Sequence, residues 1–240
     1  MAGPVSARPY ALTVADTEHG DQRARLLEAT TVGKVAEAVD TLTPLTFFLV
    51  VTETDSGEVV GAARVVAGSA IGNRTLDASA EPPWGAPMPQ VAIAAGLEAE
   101  HTWDVATLAV DGTRLAGRPA QAEVALALYH GLWACAATHG ARSLTAMLDD
   151  RVLTRLRMLG IPFRALPGLS AAPYLGSAST TPAFVHLSDV HRTLAAEPAV
   201  GDYLLRGDGF AQVLVPLPSY WEDHPSLTSA AGHLTAPLPR

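Results

Sequence analysis

Asp104 is a carboxylate set in apolar sequence, between Trp103 and the run Val105-Ala106-Thr107-Leu108-Ala109-Val110. Burial penalises the charged form of such a group. It therefore either carries a raised pKa, the mark of a functional-site candidate, or pairs with a cation and fixes strand register, Arg64 being the candidate partner. Thr107 adds a hydroxyl on the same stretch. A second constellation follows at once: Arg114-Leu115-Ala116-Gly117-Arg118-Pro119-Ala120, a polar, glycine-bearing loop running into a long apolar segment. If that segment is a helix, its free N–H groups, its dipole and two arginines converge at one point, which makes an anion site.

Such residues need a framework that sets a strand end beside a helix start. Trp103 to Val110 reads as a buried strand. Pro119 opens a helix from Ala120 to about His139 and Gly140 stops it, because proline needs no N–H in the first turn and glycine accepts the left-handed cap. Ser143 to Leu148 reads as a second buried strand. The whole is a βαβ unit with parallel strands and a right-handed crossover.

Around this unit the sequence predicts a helix within Asp16–Val39, divided at Gly33. It predicts a hairpin of Thr46–Thr52 and Glu58–Ala67 about the turn Thr54-Asp55-Ser56-Gly57. A helix is expected over Asp149–Leu159, ended by Gly160, then strands at Ile161–Leu166 and Pro182–Leu187. A last helix runs from Val190 to Ala196, capped by Ser188-Asp189. Residues 68–101, with Pro82-Pro83-Trp84-Gly85, Pro87 and Pro89, read as an extended excursion holding one short helix near Gln90–Ala95, and 167–181 as a loop. A connection so long inside a compact domain usually serves as a lid or substrate wall. The fold class is α/β (α+β), a mixed twisted sheet flanked by helices. Residues 1–15 read as a flexible arm, 16–196 as the domain and 197–240 as an irregular C-terminal extension, which packs on the domain or binds a second copy as a homodimer.

Composition narrows the classes. The chain has 240 residues, 48% of them hydrophobic, enough for a substantial core, and no window approaches the ~20 apolar residues of a membrane span. The first eight residues lack the regions of a signal peptide, so a cytoplasmic location is the default. A net charge of −8 argues against nucleic-acid binding. Yet seven arginines face three carboxylates between Arg114 and Arg164, while the remainder, with nine basic and 21 acidic residues, stands at −12. The basic segment coincides with the anion loop and would steer a phosphate-bearing cofactor or an acidic partner there. The one cysteine, Cys135, lies within the apolar helix as a core residue. His130 and His139 are nine apart, and no metal-ligand spacing or Gly-x-Ser-x-Gly elbow occurs, so no metal is expected and a hydrolase elbow is absent.

Three stretches in order resemble the GNAT acyltransferase superfamily, in the branch of acyl-homoserine-lactone synthases and long-chain N-acyl amino acid synthases. Val60-Gly61-Ala62-Ala63-Arg64-Val65-Val66 is similar to that branch's Val-Gly-x-x-Arg strand. Trp103-Asp104-Val105-Ala106-Thr107-Leu108-Ala109-Val110 resembles its strand of tryptophan, acid and, three positions after the acid, arginine. Leu156-Arg157-Met158-Leu159-Gly160-Ile161-Pro162-Phe163, followed by Pro173-Tyr174-Leu175-Gly176, is similar to its closing helix, strand and loop. The likeness runs from about residue 45 to 190. Asp104 is one methylene shorter than the family's acid, and Thr107 stands where the branch has arginine. Pro119 replaces the last small residue of the pyrophosphate loop and removes one N–H donor.

The resemblance implies thioester-dependent acyl transfer to an amine or amino-acid-like acceptor, by direct attack, for a signal or specialised metabolite. Asp104, Arg64 and Thr107 are its candidate catalytic residues. Leu108, Ala109 and Val110 would pair with the pantetheine arm of acyl-CoA or an acyl carrier protein thioester, and Arg114, Gly117, Arg118 and Ala120 would hold its phosphates. Pro119 weakens the case for free coenzyme A more than for an acidic carrier protein. Trp84, Trp103 and Tyr174 are the candidate pocket walls. Hydrolysis of a thioester, or a non-catalytic scaffold that binds an acyl carrier, are the other classes the fold could serve.

Overall fold

The computed structural model describes residues 10–15, 18–33, 46–68 and 73–207. One sheet of eight strands organises them. β1 (Tyr10–Val14), β2 (Thr46–Glu53), β3 (Val59–Val66) and β4 (Thr102–Val110) pair in sequence order as an antiparallel meander. The helix α1 (Glu18–Val32) separates β1 from β2 and ends at Gly33, whose φ of 43° takes the left-handed cap. The β2–β3 hairpin closes as expected, Gly57 N–H donating to Glu53 O at 2.8 Å with φ 69°.

The excursion between β3 and β4 carries two helices rather than one. α2 (Arg74–Ala80) starts on Asn73, whose side chain accepts the Leu76 N–H. Its seven residues are too few to show a period, which hides it in the sequence. α3 (Met88–Ala95) ends at Gly96 with φ 68°. A single 3₁₀ turn, Ala99–His101, then leads into β4.

The βαβ unit forms as expected. α4 (Arg118–Thr138) starts after Gly117 with proline in its first turn and crosses to β5 (Ser143–Asp149), which is parallel to β4. Asp149 caps α5 (Asp150–Met158) by accepting the Arg151 N–H. The strand expected over Ile161–Leu166 shrinks to β6 (Arg164–Ala165), because Pro162 cannot donate to a ladder. The segment 167–181, read as a loop, contains β7 (Ala172–Tyr174) and the start of β8 (Ser177–His186), which pairs antiparallel with β5 and carries β6 and β7 on its other edge. α6 (Leu187–Ala195) begins directly after β8 with His186 as its cap, ahead of the expected Ser188-Asp189. α7 (Pro198–Arg206) occupies part of the extension read as irregular, and β1 part of the stretch read as an arm. Both are short elements held by packing rather than by pattern: Leu12 and Leu204 are fully buried in the main core.

The helices take opposite faces. α4 packs Val124, Leu128 and Leu132 with Phe47, Leu49, Val65 and Trp103, joined by Leu156, Leu194 and Leu204 of α5, α6 and α7. α1 covers the other face with Ala24 and Leu27 over Phe48, Val50, Ala62 and Ala109. Farther along that face, Val91 and Ala95 of α3 pack on Leu166 and Phe184. Gly61 lets α4 approach β3 closely, since a Cβ there would come within 2.5 Å of Val124 Cγ1. Gly61→Ala is therefore expected to cost about 1–3 kcal/mol by overpacking against a stiff, buried valine, read as a lower denaturation midpoint with unchanged slope. No helix among the described residues is long and apolar enough to cross a membrane.

Candidate active site

β4 and β5 are hydrogen-bonded neighbours over three residue pairs only: Thr102–Ser143, Trp103–Leu144 and Asp104–Thr145. Beyond Asp104 they part. β4 stays on β3 through Val110 and β5 stays on β8 through Asp149. A bulge promotes the divergence: Arg64 faces Thr107 while Val65 faces Val105, which leaves Ala106 as an extra residue and bends β4. Asp111 N–H donates to Val60 O at 2.9 Å, so strand alternation turns Ala109 toward β3 and leaves the N–H groups of Leu108 and Val110 facing the gap. An open strand edge inside a sheet is a receptor for an extended partner.

Asp104 stands where the strands part, 2% exposed. Its Oδ2 accepts the Thr75 N–H at 2.8 Å, from the first turn of α2, and lies 3.0 Å from the Thr145 hydroxyl, which in turn accepts from Asn73 Nδ2 at 2.8 Å. Burial pushes its carboxyl above the usual range, against the pull of the Thr75 and Thr145 hydrogen bonds and the nearby Arg74 charge. The group is an oriented carboxylate with a raised affinity for a proton.

Arg64 is not its partner. The guanidinium pairs with Glu28 of α1, and Thr107 donates its hydroxyl to the other oxygen of the same carboxylate. Arg64 and Thr107 are opposite one another in the β3–β4 register, so both point to the α1 face, and Glu28 closes the triad from above. All three are buried, with Arg64 5.0 Å from the centre of the Phe48 ring. Glu28 could not be singled out from sequence: it sits among apolar residues of α1 in a place where Leu26, 67% exposed, looks the better core residue. Asn73, Thr75 and Thr145 were also missed, although Asn73 before Arg74-Thr75-Leu76 is a cap signal.

The anion loop is built as an Asp111 turn. Asp111 Oδ1 accepts the N–H groups of Thr113 and Arg114 at 2.9 and 3.1 Å, and Gly117 takes φ 87° to start α4. These hydrogen bonds, the Thr113 side-chain one foremost, hold the Asp111 carboxyl below its ordinary range. Arg114 is drawn to Glu58 and Asp111 at 3.7 and 3.6 Å. Arg118, at the helix start, is exposed and makes no ion pair among the described residues. Ala120 follows Pro119 with its N–H in the uncapped first turn.

The candidate wall residues divide. Trp84 and Tyr174 meet at 5.3 Å between ring centres, and Trp84 Nε1 donates to Ser170 O, tying the α2–α3 connection to the β6–β8 end of the sheet. Trp103 lies in the core instead, edge-on to Phe47 at 5.7 Å and stacked with His139 at 6.3 Å. Neither conventional nucleophile serves the gap. Burial pushes the Cys135 thiol up to about 12, and Ser143, bonded to His186 Nδ1 at 2.8 Å, begins β5 at the end away from the gap. Among the described residues no three His, Cys, Asp or Glu side chains gather as a metal ion would require.

A mixed sheet whose central parallel pair splays at an acidic residue, with a glycine-started helix on one side of the opening, decides the architecture. The chain has the GNAT fold. Its structure is similar to FeeM, an N-acyl amino acid synthase from uncultured soil microbes, at 16% identity and a TM-score of 0.62, over 81% of this chain and 99% of that one. It is similar to BjaI, a CoA-dependent acyl-homoserine lactone synthase solved with SAM and isopentyl-CoA, at 17% identity and a TM-score of 0.53, over 88% and 96%. The acyl-homoserine lactone synthase LasI aligns at 12% identity and a TM-score of 0.50, over 87% and 97%. No family model matches the sequence, and no curated protein matches it either. Within the GNAT fold this chain thus shares the form of the acyl-amino-acid and lactone synthases.

Proposed function

We propose that this GNAT chain is an acyltransferase that moves an acyl group from a phosphopantetheine thioester to an amine. The observation that carries the proposal is the parting of β4 and β5 immediately after Asp104, which frees strand edge for a pantetheine arm and places a buried carboxylate at the apex. Among the neighbours named above, BjaI is CoA-dependent and was solved with isopentyl-CoA, a donor of this kind. In the proposed reaction the amine nitrogen attacks the thioester carbonyl, the C–N bond forms, the C–S bond breaks and the thiolate leaves. Asp104 accepts the proton lost by the amine. A β4 N–H facing the gap, from Leu108 or Val110, stabilises the carbonyl oxygen as it gains charge, an effect of about 3 kcal/mol for one well-placed donor. Attack is direct, without an acyl-enzyme, and the one cysteine, Cys135, is buried with its thiol pKa raised by burial.

The donor is acyl-CoA or the thioester of an acidic acyl carrier protein, both of which present the same arm. Arg118 is the phosphate contact of choice and Arg114 the lesser one, its charge already shared with two carboxylates. Arg118→Ala is expected to raise the KM for acyl-CoA roughly fivefold, the worth of one exposed charge contact, with little change in kcat. The same variant should treat acyl-pantetheine, which lacks the nucleotide phosphates, like the parent.

Thiol release from acyl thioesters, with and without an amine, tests the function directly. Release that requires the amine, with N-acylamine detected by mass spectrometry, is the expected result. Equal release without amine would mean hydrolysis, and donor binding without release would mean a scaffold.

A further inference from the structure

The described residues bury three charged side chains, Glu28, Arg64 and Asp104, and all three stand on the α1–α2 face of β3 and β4 beside the gap. Two are acids and one is a base. Arg64, the cation that could grip an acceptor carboxylate, is already bound by Glu28, whose second oxygen takes the Thr107 hydroxyl. An incoming carboxylate would have to displace Glu28 and leave it buried without its counter-charge, a costly exchange. Arg74 stands outside that buried cluster: it is half-buried at the start of α2, and its charge acts on both Asp104 and Asp77. An ammonium group meets no such obstacle: Asp104 is not paired with Arg64, and the charge of that buried cation is already met by Glu28.

Resting on the acyl-transfer reading above, we propose that the acceptor is an amine with no neighbouring carboxylate, because the buried guanidinium of Arg64 is taken by Glu28 beside Asp104. A free α-amino acid is the disfavoured class. Glu28 is thereby a specificity-determining residue: it spends the charge that would otherwise anchor an amino acid.

Matched acceptors test this. Tyramine against tyrosine, tryptamine against tryptophan and agmatine against arginine would be compared by thiol release and product mass, with the methyl ester of each amino acid as a third arm. The expected kcat/KM is at least tenfold higher for each amine than for its amino acid, and the ester should recover most of the difference. An amino acid used as well as its amine overturns the proposal; so does an ester as poor as the acid, which would mean bulk rather than charge. Glu28→Gln, keeping the shape while removing the carboxylate charge that faces Arg64, should move the amine-to-acid ratio at least tenfold toward the amino acid, and an unchanged ratio in a folded variant counts against it. Should that variant not fold, the ester arm on the parent protein decides. No thiol release with any amine would remove the transferase reading itself, a result distinct from a preference for amino acids.

Discussion

Asp104→Asn should lower amine-dependent turnover by about a hundredfold or more, the usual worth of a positioned base, while the protein stays folded and becomes no less stable. The amide can still accept the Thr75 N–H and the Thr145 hydroxyl bond, so the α2 start keeps its anchor. What it lacks is the charge that burial disfavours. Because the folded-state pKa of Asp104 is raised, the native protein holds a proton that the unfolded chain releases near pH 4. Its contribution is full below that pH and lost as pH rises through the folded value. The melting temperature of the variant relative to the parent should therefore climb over that interval and level off above it. In the parent, kcat/KM should fall on the acid side with a midpoint above the ordinary carboxylate range. A variant that turns over amines normally would remove Asp104 from the chemistry.

The second large effect belongs to Glu28→Ala. It removes the carboxylate that the buried Arg64 pairs with and strips Thr107 of its acceptor, a change expected to cost about 3–5 kcal/mol. For a domain of this size that corresponds to a melting temperature lower by roughly 10 °C. Replacing both residues by apolar ones, Glu28→Leu with Arg64→Met, should recover much of the loss, because the buried guanidinium is then removed together with the carboxylate that faced it. Urea denaturation of the two single variants and the double variant measures the coupling; a single-variant loss below about 1 kcal/mol would show that solvent reaches the pair.

The central unit was legible because its signals agree. Pro119, the largely apolar stretch to Thr138 and Gly140 mark one helix, and the strands on either side are mostly apolar, as buried parallel strands are. The expectation of an open edge at Leu108–Val110 came from the likeness of the Trp103–Val110 strand, not from periodicity, and the point at which the strands part, Asp104, comes from the β4–β5 pairing. Of the two alternatives open for Asp104, the Arg64 pair fails for a topological reason: sequence places Arg64 and Asp104 on adjoining strands, but a carboxylate from α1, 36 residues before Arg64, pairs with it instead. Nothing local announces that, since α1 turns Leu26 out and Glu28 in, a reversal of the binary pattern. Such reversals gather where a fold gives up stability for a site. β7, α2 and α7 escaped for a plainer reason. Each is nine residues or shorter and is held by what it packs on.

The short β4–β5 seam has a mechanical side. Three residue pairs join the β1–β4 meander to the β5–β8 half, helped by the contacts of Thr145 with Trp103 and Asp104. Below it, the Arg142 N–H bond to His101 O and the Arg142–Glu98 ion pair extend the seam, and helices packed on both faces add the rest. A pantetheine arm threaded along the bare edge of β4 would supply backbone hydrogen bonds where the sheet itself has none, so the substrate would serve as a missing rung. The donor would then stiffen the protein it enters, and release of the free thiol after transfer would loosen it again.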